Sequence, residues 1–274
     1  MKVPLINLAI QQTFQLLSFY GSTVEQKTWQ SVESPDKTFE IDNIIFKGQM
    51  PELKETLAQY TKADLPWAED HFQERISGEP TNPGEQWKNW PYYKKEQDDE
   101  RFRRRGKFDH TYMERFWPLA AGRFINKESW GIRFMLGDYD DIIQRAKYDQ
   151  TSRQLYLSIW HPEDQSNSKG IGKVERRLPC SLGYFFLIRN NKVNLTYHIR
   201  SCDILRHFCN DIYLAVRLAQ DFRDKVNPEL QMGEFTMWIG SLHCWESEKN
   251  ILLLKAKNLP VFAEEKNEKR TDRT

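Results

Sequence analysis

Apolar residues return every three to four positions at the start of the chain, at Ile6, Ile10, Phe14 and Leu17, and this spacing predicts an opening amphipathic helix. Alternation replaces it within residues 30–48, where Phe39, Ile41 and then Ile44-Ile45-Phe46 predict half-buried strands. Helical spacing comes back in PELKETLAQY and again in LPWAEDHFQERISG, the latter ended by Gly78. The next thirty residues, from Glu79 to Phe108, are dense in proline, glycine and charge and carry no period, so they read as a long loop. In the second half RQLYLSIW (153–160) predicts a strand and PEDQSNSKGIGKVE a polar loop. YFFLIR and KVNLTYHI then flank Asn190-Asn191 as the two arms of a hairpin. Ile212, Ala215, Leu218 and Ala219 restore helical spacing, FTMWIGSLHCW predicts a further strand, and EEKNEKRTDRT a frayed end. No repeat or linker interrupts this order. It predicts one α+β domain over residues 1–262 and a charged tail over 263–274.

Charge changes the picture by exclusion. Against 39 Asp+Glu the chain sets 40 Lys+Arg, a net charge of +1, which gives no general attraction for nucleic acid or for an anionic membrane. The basic run from Arg101 to Arg105 follows Glu96, Asp98, Asp99 and Glu100, so it is locally neutralised and reads as a solvated face. With 16 Phe, 9 Trp and 11 Tyr the chain can build a large core, which argues against disorder. No apolar run reaches the roughly 18–20 residues that span a bilayer. The N-terminal segment is interrupted by Gln11-Gln12 and shows no cleavage site, so a cytoplasmic location and four reduced cysteines are expected.

Candidate chemistry begins at Cys180, which lies in RRLPCSLG before a strand, near Arg176 and Arg177. Positive charge turns a thiol into a nucleophile, although a cysteine at a strand entrance is commonly just a small buried apolar group. Cys202, His207, Cys209, His243 and Cys244 lack the pair spacing of tetrahedral zinc sites, so no metal is expected. Phosphate-loop, dinucleotide and serine-hydrolase signatures are absent. What remains is an ordered set: Cys180, then Arg200-Ser201-Cys202-Asp203 twenty residues on, then Asn210-Asp211, then His243-x-Trp245. Guanidinium forks beside a thiol suit a nucleophile that works next to a phosphate.

The order P-C, R-S-x-D, an asparagine-containing turn and G-S-x-H-x-aromatic resembles the thymidylate synthase superfamily through residues 178–245. More loosely, Ser152-Arg153 resembles a phosphate-binding turn, FDHTYMERFWP the active-site tyrosine segment, and WAEDHFQERISG the helix of the catalytic glutamate. The resemblance implies a mixed sheet covered by helices and a pyrimidine nucleotide monophosphate as substrate. It also implies 5,10-methylenetetrahydrofolate as cosubstrate and a homodimer that shares a phosphate-binding arginine. Position 211 separates the substrates. The synthases carry an asparagine there, whose amide serves uracil. Asp211 in F-C-N-D is similar to the deoxycytidylate hydroxymethylases, as is Gly240-Ser241-Leu242-His243, while HFQERISGEPTNP and WPYY resemble the cytidylate hydroxymethylase of nucleoside-antibiotic biosynthesis. An ionised carboxylate accepts the amino group of cytosine and repels O4 of uracil. Asp211 also suits a helix cap.

The resemblance implies covalent catalysis: the Cys180 thiolate adds to C6, C5 takes up the one-carbon unit, and water attacks the resulting exocyclic methylene to give the 5-hydroxymethyl nucleotide. Arg200, Ser201 and Arg153, the last from a second subunit, would hold the phosphate, and Asn210 with Asp211 the base. His243 and Trp245 would hold the sugar and Asp203 the pterin. Glu69 would organise proton transfer, with Glu74 as the second choice, and Tyr112 would position water or base. Gln154 replaces the second arginine of the family's pair. Trp245, which donates but cannot accept, replaces the tyrosine at the sugar, tilting the expectation from dCMP towards CMP. The tail lacks the family's apolar ending. The alternatives are a dUMP methylase or hydroxymethylase of the same fold, and a non-catalytic nucleotide- or RNA-binding relative.

Overall fold

The alternating runs of the sequence lie side by side in one sheet. In the computed structural model, which describes residues 3–26, 36–93, 106–121, 137–161, 164 and 178–257, the strands are β1 (Ser22–Gln26), β2 (Asp36–Gln49), β3 (Tyr156–Ser158), β4 (Ser181–Arg189), β5 (Lys192–Asp203) and β6 (Gln231–Trp245). Their order is β1-β2-β6-β5-β4-β3, and every pair is antiparallel except β5 with β6. That parallel pair needs a long crossover, which α6 (Phe208–Val226) supplies. The other helices are α1 (Ile6–Tyr20), α2 (Lys54–Thr61), α3 (Trp67–Ile76), α4 (Tyr112–Phe116), α5 (Tyr139–Tyr148) and α7 (Lys249–Lys257). The result is the expected α+β mixed sheet with helices packed on it.

The core lies between α6 and the sheet. Leu195, Tyr197 and Ile199 of β5 and Phe235, Met237 and Ile239 of β6 alternate inward and are buried, as are Ile212, Ala215, Val216 and Ala219 of α6. Phe186 of β4 stacks on Phe222 of α6 at 4.3 Å, and Phe46 of β2 meets Phe208 edge-on at 5.6 Å. The opening helix buries Ile6, Ile10, Phe14 and Leu17 as its spacing predicts. The hairpin turn also forms where expected: Asn190 and Asn191 both take positive φ (52° and 59°), the geometry of a type I′ turn.

One departure from ideal alternation positions the site. Burial changes phase along a line that crosses the sheet at Asn43 of β2, Gly240 of β6, Arg200 of β5 and the Ser181–Gly183 step of β4. Asn43 has φ 52°, and a Cβ on Gly240 would come 2.8 Å from the Arg200 carbonyl oxygen, so the strands approach there as only glycine allows. This explains the doubled isoleucine of the sequence: Ile44 is buried while Ile45 is 69% exposed. It also places Cys180 and Ser201 at the bend.

The strand expected over 153–160 contracts to Tyr156–Ser158. Four elements are not predicted: β1, α4, α5 and α7. α5 buries Tyr139, Ile142 and Ile143, and its start is fixed by the Asp138 N–H donating to the Asp141 carboxylate at 2.9 Å. Arg176, Arg177, the charge run from Glu96 to Arg105, the loop 162–175 apart from Asp164, residues 30–35 and the tail 263–274 lie outside the described residues. Among the described residues no helix is long and apolar enough to cross a membrane, and the four cysteines are free thiols.

Candidate active site

A cleft opens at the sheet bend, walled by the segment before β4, by β5 and by the start of α6 on one side, and by α3, residues 108–113 and the loop 79–93 on the other. The sheet side contributes Cys180, Ile199 and Ser201, and α6 contributes Asn210 and Asp211. The Cys180 carbonyl accepts from the Arg200 N–H at 2.9 Å. Arg200 also turns its guanidinium onto the same segment, with Nε donating to the Pro179 carbonyl at 2.9 Å and Nη2 to that of Leu178 at 3.2 Å. The arginine therefore clasps the two residues before the cysteine and fixes where the thiol points. Its Nη1 carries no hydrogen bond among the described residues.

Asp211 sits in the first turn of α6, its N–H donating to the His207 carbonyl at 2.7 Å. Burial pushes its carboxyl up to about 7, the nearby Arg75 cation opposing, and the Cys202 thiol donates to its Oδ2 at 3.6 Å. A carboxyl raised this far can carry its proton near neutrality, so it can donate as well as accept. Tyr112, at the start of α4, also faces the cleft. Its oxygen accepts from Ser181 Oγ at 3.2 Å, and burial followed by the neighbouring Cys180 raises its pKa.

On α3 the residues that reach the cleft are Trp67, His71 and Arg75. They repeat every four positions, one helical face. Glu74 Oε2 bonds His71 Nδ1 at 3.2 Å, and Arg75 Nε donates to His71 Nε2 at 3.1 Å. That arrangement needs a neutral imidazole with its proton on Nδ1. Burial and then the Arg75 charge lower His71 to about 4, which agrees. Arg75 is 6% exposed and lies 4.2 Å over the Tyr112 ring. Among the lining residues it is the one Lys or Arg.

Several expected residues are held elsewhere. Glu69 is on another face of α3, where Arg217 Nε and Nη2 reach its two oxygens at 2.9 and 3.0 Å and Tyr213 donates at 2.7 Å. Burial works against its ionisation, but the hydrogen bonds from Arg217, Gln73 and Tyr213 outweigh it and hold the carboxyl near 2. The structure does not bring Glu69 into the cleft lining, and Glu74 acts on the site through His71 and through the Glu85 and Gln86 N–H groups of the loop 79–93, which donate to its Oε1. Asp203 accepts from the Leu205 and Arg206 N–H groups and from the Arg206 guanidinium, and so shapes the turn into α6. Asn210 lines the cleft, but its amide is exchanged with Asp64, donating to the carboxylate at 2.8 Å and accepting from the N–H at 2.9 Å. His243 and Trp245 lie past the bend on β6, opposite Glu40 and Thr38 of β2, outside the lining. Arg153 is exposed in the turn before β3.

Known proteins share this fold. The thymidylate synthase family model matches residues 69–261. The chain belongs to the thymidylate synthase family. The thermostable thymidylate synthase A from Bacillus subtilis is a similar solved structure, at 14% identity and a TM-score of 0.65, covering 93% of this chain and 85% of that one. The mixed sheet and its helices are thus the thymidylate synthase fold, and membership of the family implies folate-dependent one-carbon transfer to a pyrimidine nucleotide. The far wall fits such a cosubstrate. Trp67 stacks on His71 at 5.3 Å and Trp90 on His207 at 4.9 Å, Trp87 meets Phe108 edge-on at 5.2 Å, and Trp90 Nε1 is buried with no hydrogen-bond partner among the described residues. A flat heterocycle carrying an acceptor would use all of these. Among the described residues no cluster of His, Cys, Asp and Glu could hold a metal. His71 and Arg75 are the site residues that sequence reasoning missed; the four-residue step from Trp67 is the signal that points to them.

Proposed function

We propose that this member of the family is a methylenetetrahydrofolate-dependent hydroxymethyltransferase acting on a cytidine nucleotide monophosphate, CMP or dCMP. The observation that carries the reading is Asp211, a carboxyl raised to about 7 in the cleft that also holds Cys180. A neutral carboxyl donates to N3 of cytosine while accepting from its 4-amino group, and the basic N3 shares that proton in either position. A neutral carboxyl would also match O4 and N3–H of uracil, so the discrimination comes from the ionised form, which accepts from the cytosine 4-amino group and repels uracil O4. Proton sharing with N3 draws electrons from the ring and makes C6 more electrophilic towards Cys180. The cysteine then forms the carbon–sulfur bond, and C5, now enamine-like, bonds to the one-carbon unit and gives up its proton; water adds to that unit as tetrahydrofolate leaves, and expulsion of the Cys180 thiolate restores the C5–C6 double bond. Bound methylenetetrahydrofolate supplies the one-carbon unit.

Arg200 Nη1 and Ser201 would hold the phosphate, with Arg153 delivered from the second subunit of a homodimer. The half-exposed sheet face around Tyr156, 42% exposed, and Ile45 offers the surface for that pairing. Tyr112 would present its hydroxyl beside Cys180. The test is incubation with methylenetetrahydrofolate and 5-tritiated CMP, dCMP or dUMP. Tritium release from a cytidylate, with mass-spectrometric detection of its 5-hydroxymethyl product, is expected. Release from dUMP alone would overturn the reading in favour of a uridylate enzyme.

A further inference from the structure

Behind Tyr112 runs a line of hydroxyls that none of the proposed roles uses. Ser181 Oγ donates to the Tyr112 oxygen at 3.2 Å, and the Ser181 N–H lies 3.5 Å from the same oxygen. The other side of Ser181 Oγ meets the Tyr197 hydroxyl at 2.6 Å. Tyr197 is 1% exposed and stacks on Tyr184 at 4.5 Å with their planes 7° apart. A serine whose proton is committed to Tyr112 must accept from Tyr197, so the donors run one way: Tyr197 to Ser181, Ser181 to Tyr112. The Tyr112 oxygen already accepts from Ser181, and the proton it still carries is then left for the cleft, which the tyrosine lines. Hydroxyls in such a series polarise one another, so each donor strengthens the next.

From this order we propose that Ser181 and Tyr197 are positioning residues that aim the Tyr112 hydroxyl proton into the cleft beside Cys180. They act through Tyr112 and touch no substrate. The buried Tyr197 hydroxyl needs a partner in any case, and the two roles separate by experiment. The kinetic part rests on the proposed function. Tyr197→Phe keeps the ring and its stacking but removes the first donor. It is expected to lower kcat for tritium release about tenfold while leaving nucleotide KM within about twofold. Ser181→Ala should match it, and Ser181→Thr, which keeps the hydroxyl, should restore most of the rate. Tyr112→Phe combined with Tyr197→Phe should be no slower than Tyr112→Phe alone, because the second change acts only through the first. Multiplying losses in the double variant, or wild-type kcat in Tyr197→Phe, would overturn the inference.

A second readout needs no turnover. The tyrosinate difference spectrum of wild type minus Tyr112→Phe isolates the Tyr112 titration. Its midpoint should rise in Ser181→Ala, since that serine stabilises the phenolate. An unchanged midpoint would contradict the placement. A wild type that releases no tritium from any pyrimidine nucleotide would condemn the functional reading and leave the hydroxyl line to be decided by this titration.

Discussion

The two walls of the cleft are built on different principles. On the sheet wall, Cys180 and Ser201 are placed by backbone: the strand ladder, the bend and the clasp of Arg200 on two carbonyls. On the α3–α4 wall, placement is the work of side chains. The Glu69–Arg217 pair fixes which face of α3 turns away, and Glu74 holds His71, which holds Arg75. Backbone ladders tolerate the loss of one side chain, whereas a side-chain relay does not. Replacements on the sheet wall should therefore change chemistry without changing stability, and replacements on the helical wall should mix the two.

The largest expected effect tests the sheet wall. Cys180→Ala should lower turnover by about 10⁴-fold with nucleotide affinity and melting temperature nearly unchanged, as read by tritium release and calorimetry. Asp211→Asn comes next: the ratio of kcat/KM for cytidine over uridine nucleotides should fall about 10²-fold. The same residue sets a pH dependence. Asp211 keeps its proton to about 7 against an ordinary 3.8, so between these values the folded protein binds more protons than the unfolded chain. Its contribution to stability is lost as pH rises through that window, and nucleotide affinity declines as pH rises through about 7. Calorimetric titration from pH 6 to 8 should show the decline in wild type and not in Asp211→Asn.

The helical wall is expected to respond more modestly. His71→Phe removes the acceptor of Arg75 and should reduce kcat roughly tenfold, with a fall in melting temperature that Cys180→Ala does not show. Glu69→Gln sharpens the contrast most. As half of a partly buried ion pair it should cost about 2 kcal/mol of stability, read by denaturant unfolding, with kcat within about twofold of wild type. A large loss of kcat at full stability would instead make Glu69 a catalytic group.

The same contrast explains how much of the molecule is legible in its sequence. The sheet-wall residues cluster in short motifs, so Cys180, Ser201 and Asp211 stand out from the residue pattern alone, and the alternating runs around Asn190-Asn191 locate the hairpin. The helix of α3 is equally legible as a helix. Its functional face is not, because Glu69, His71 and Arg75 all suit a polar surface and the choice between them is made by Arg217, 148 positions further on from Glu69. Asn210 and Asp203 each sit within a recognisable motif, and Asp64 and Arg206 engage their polar atoms. Local pattern identifies an element, and long-range pairing decides which of its faces does chemistry.

The central claim is that Asp211 reads the base, and selectivity measured at one pH tests it most directly. With methylenetetrahydrofolate present, tritium release is compared for CMP, dCMP and dUMP in wild type and in Asp211→Asn at pH 7. The account predicts that wild type prefers a cytidylate and that the variant shifts towards dUMP. Equal selectivity in the two proteins would contradict it.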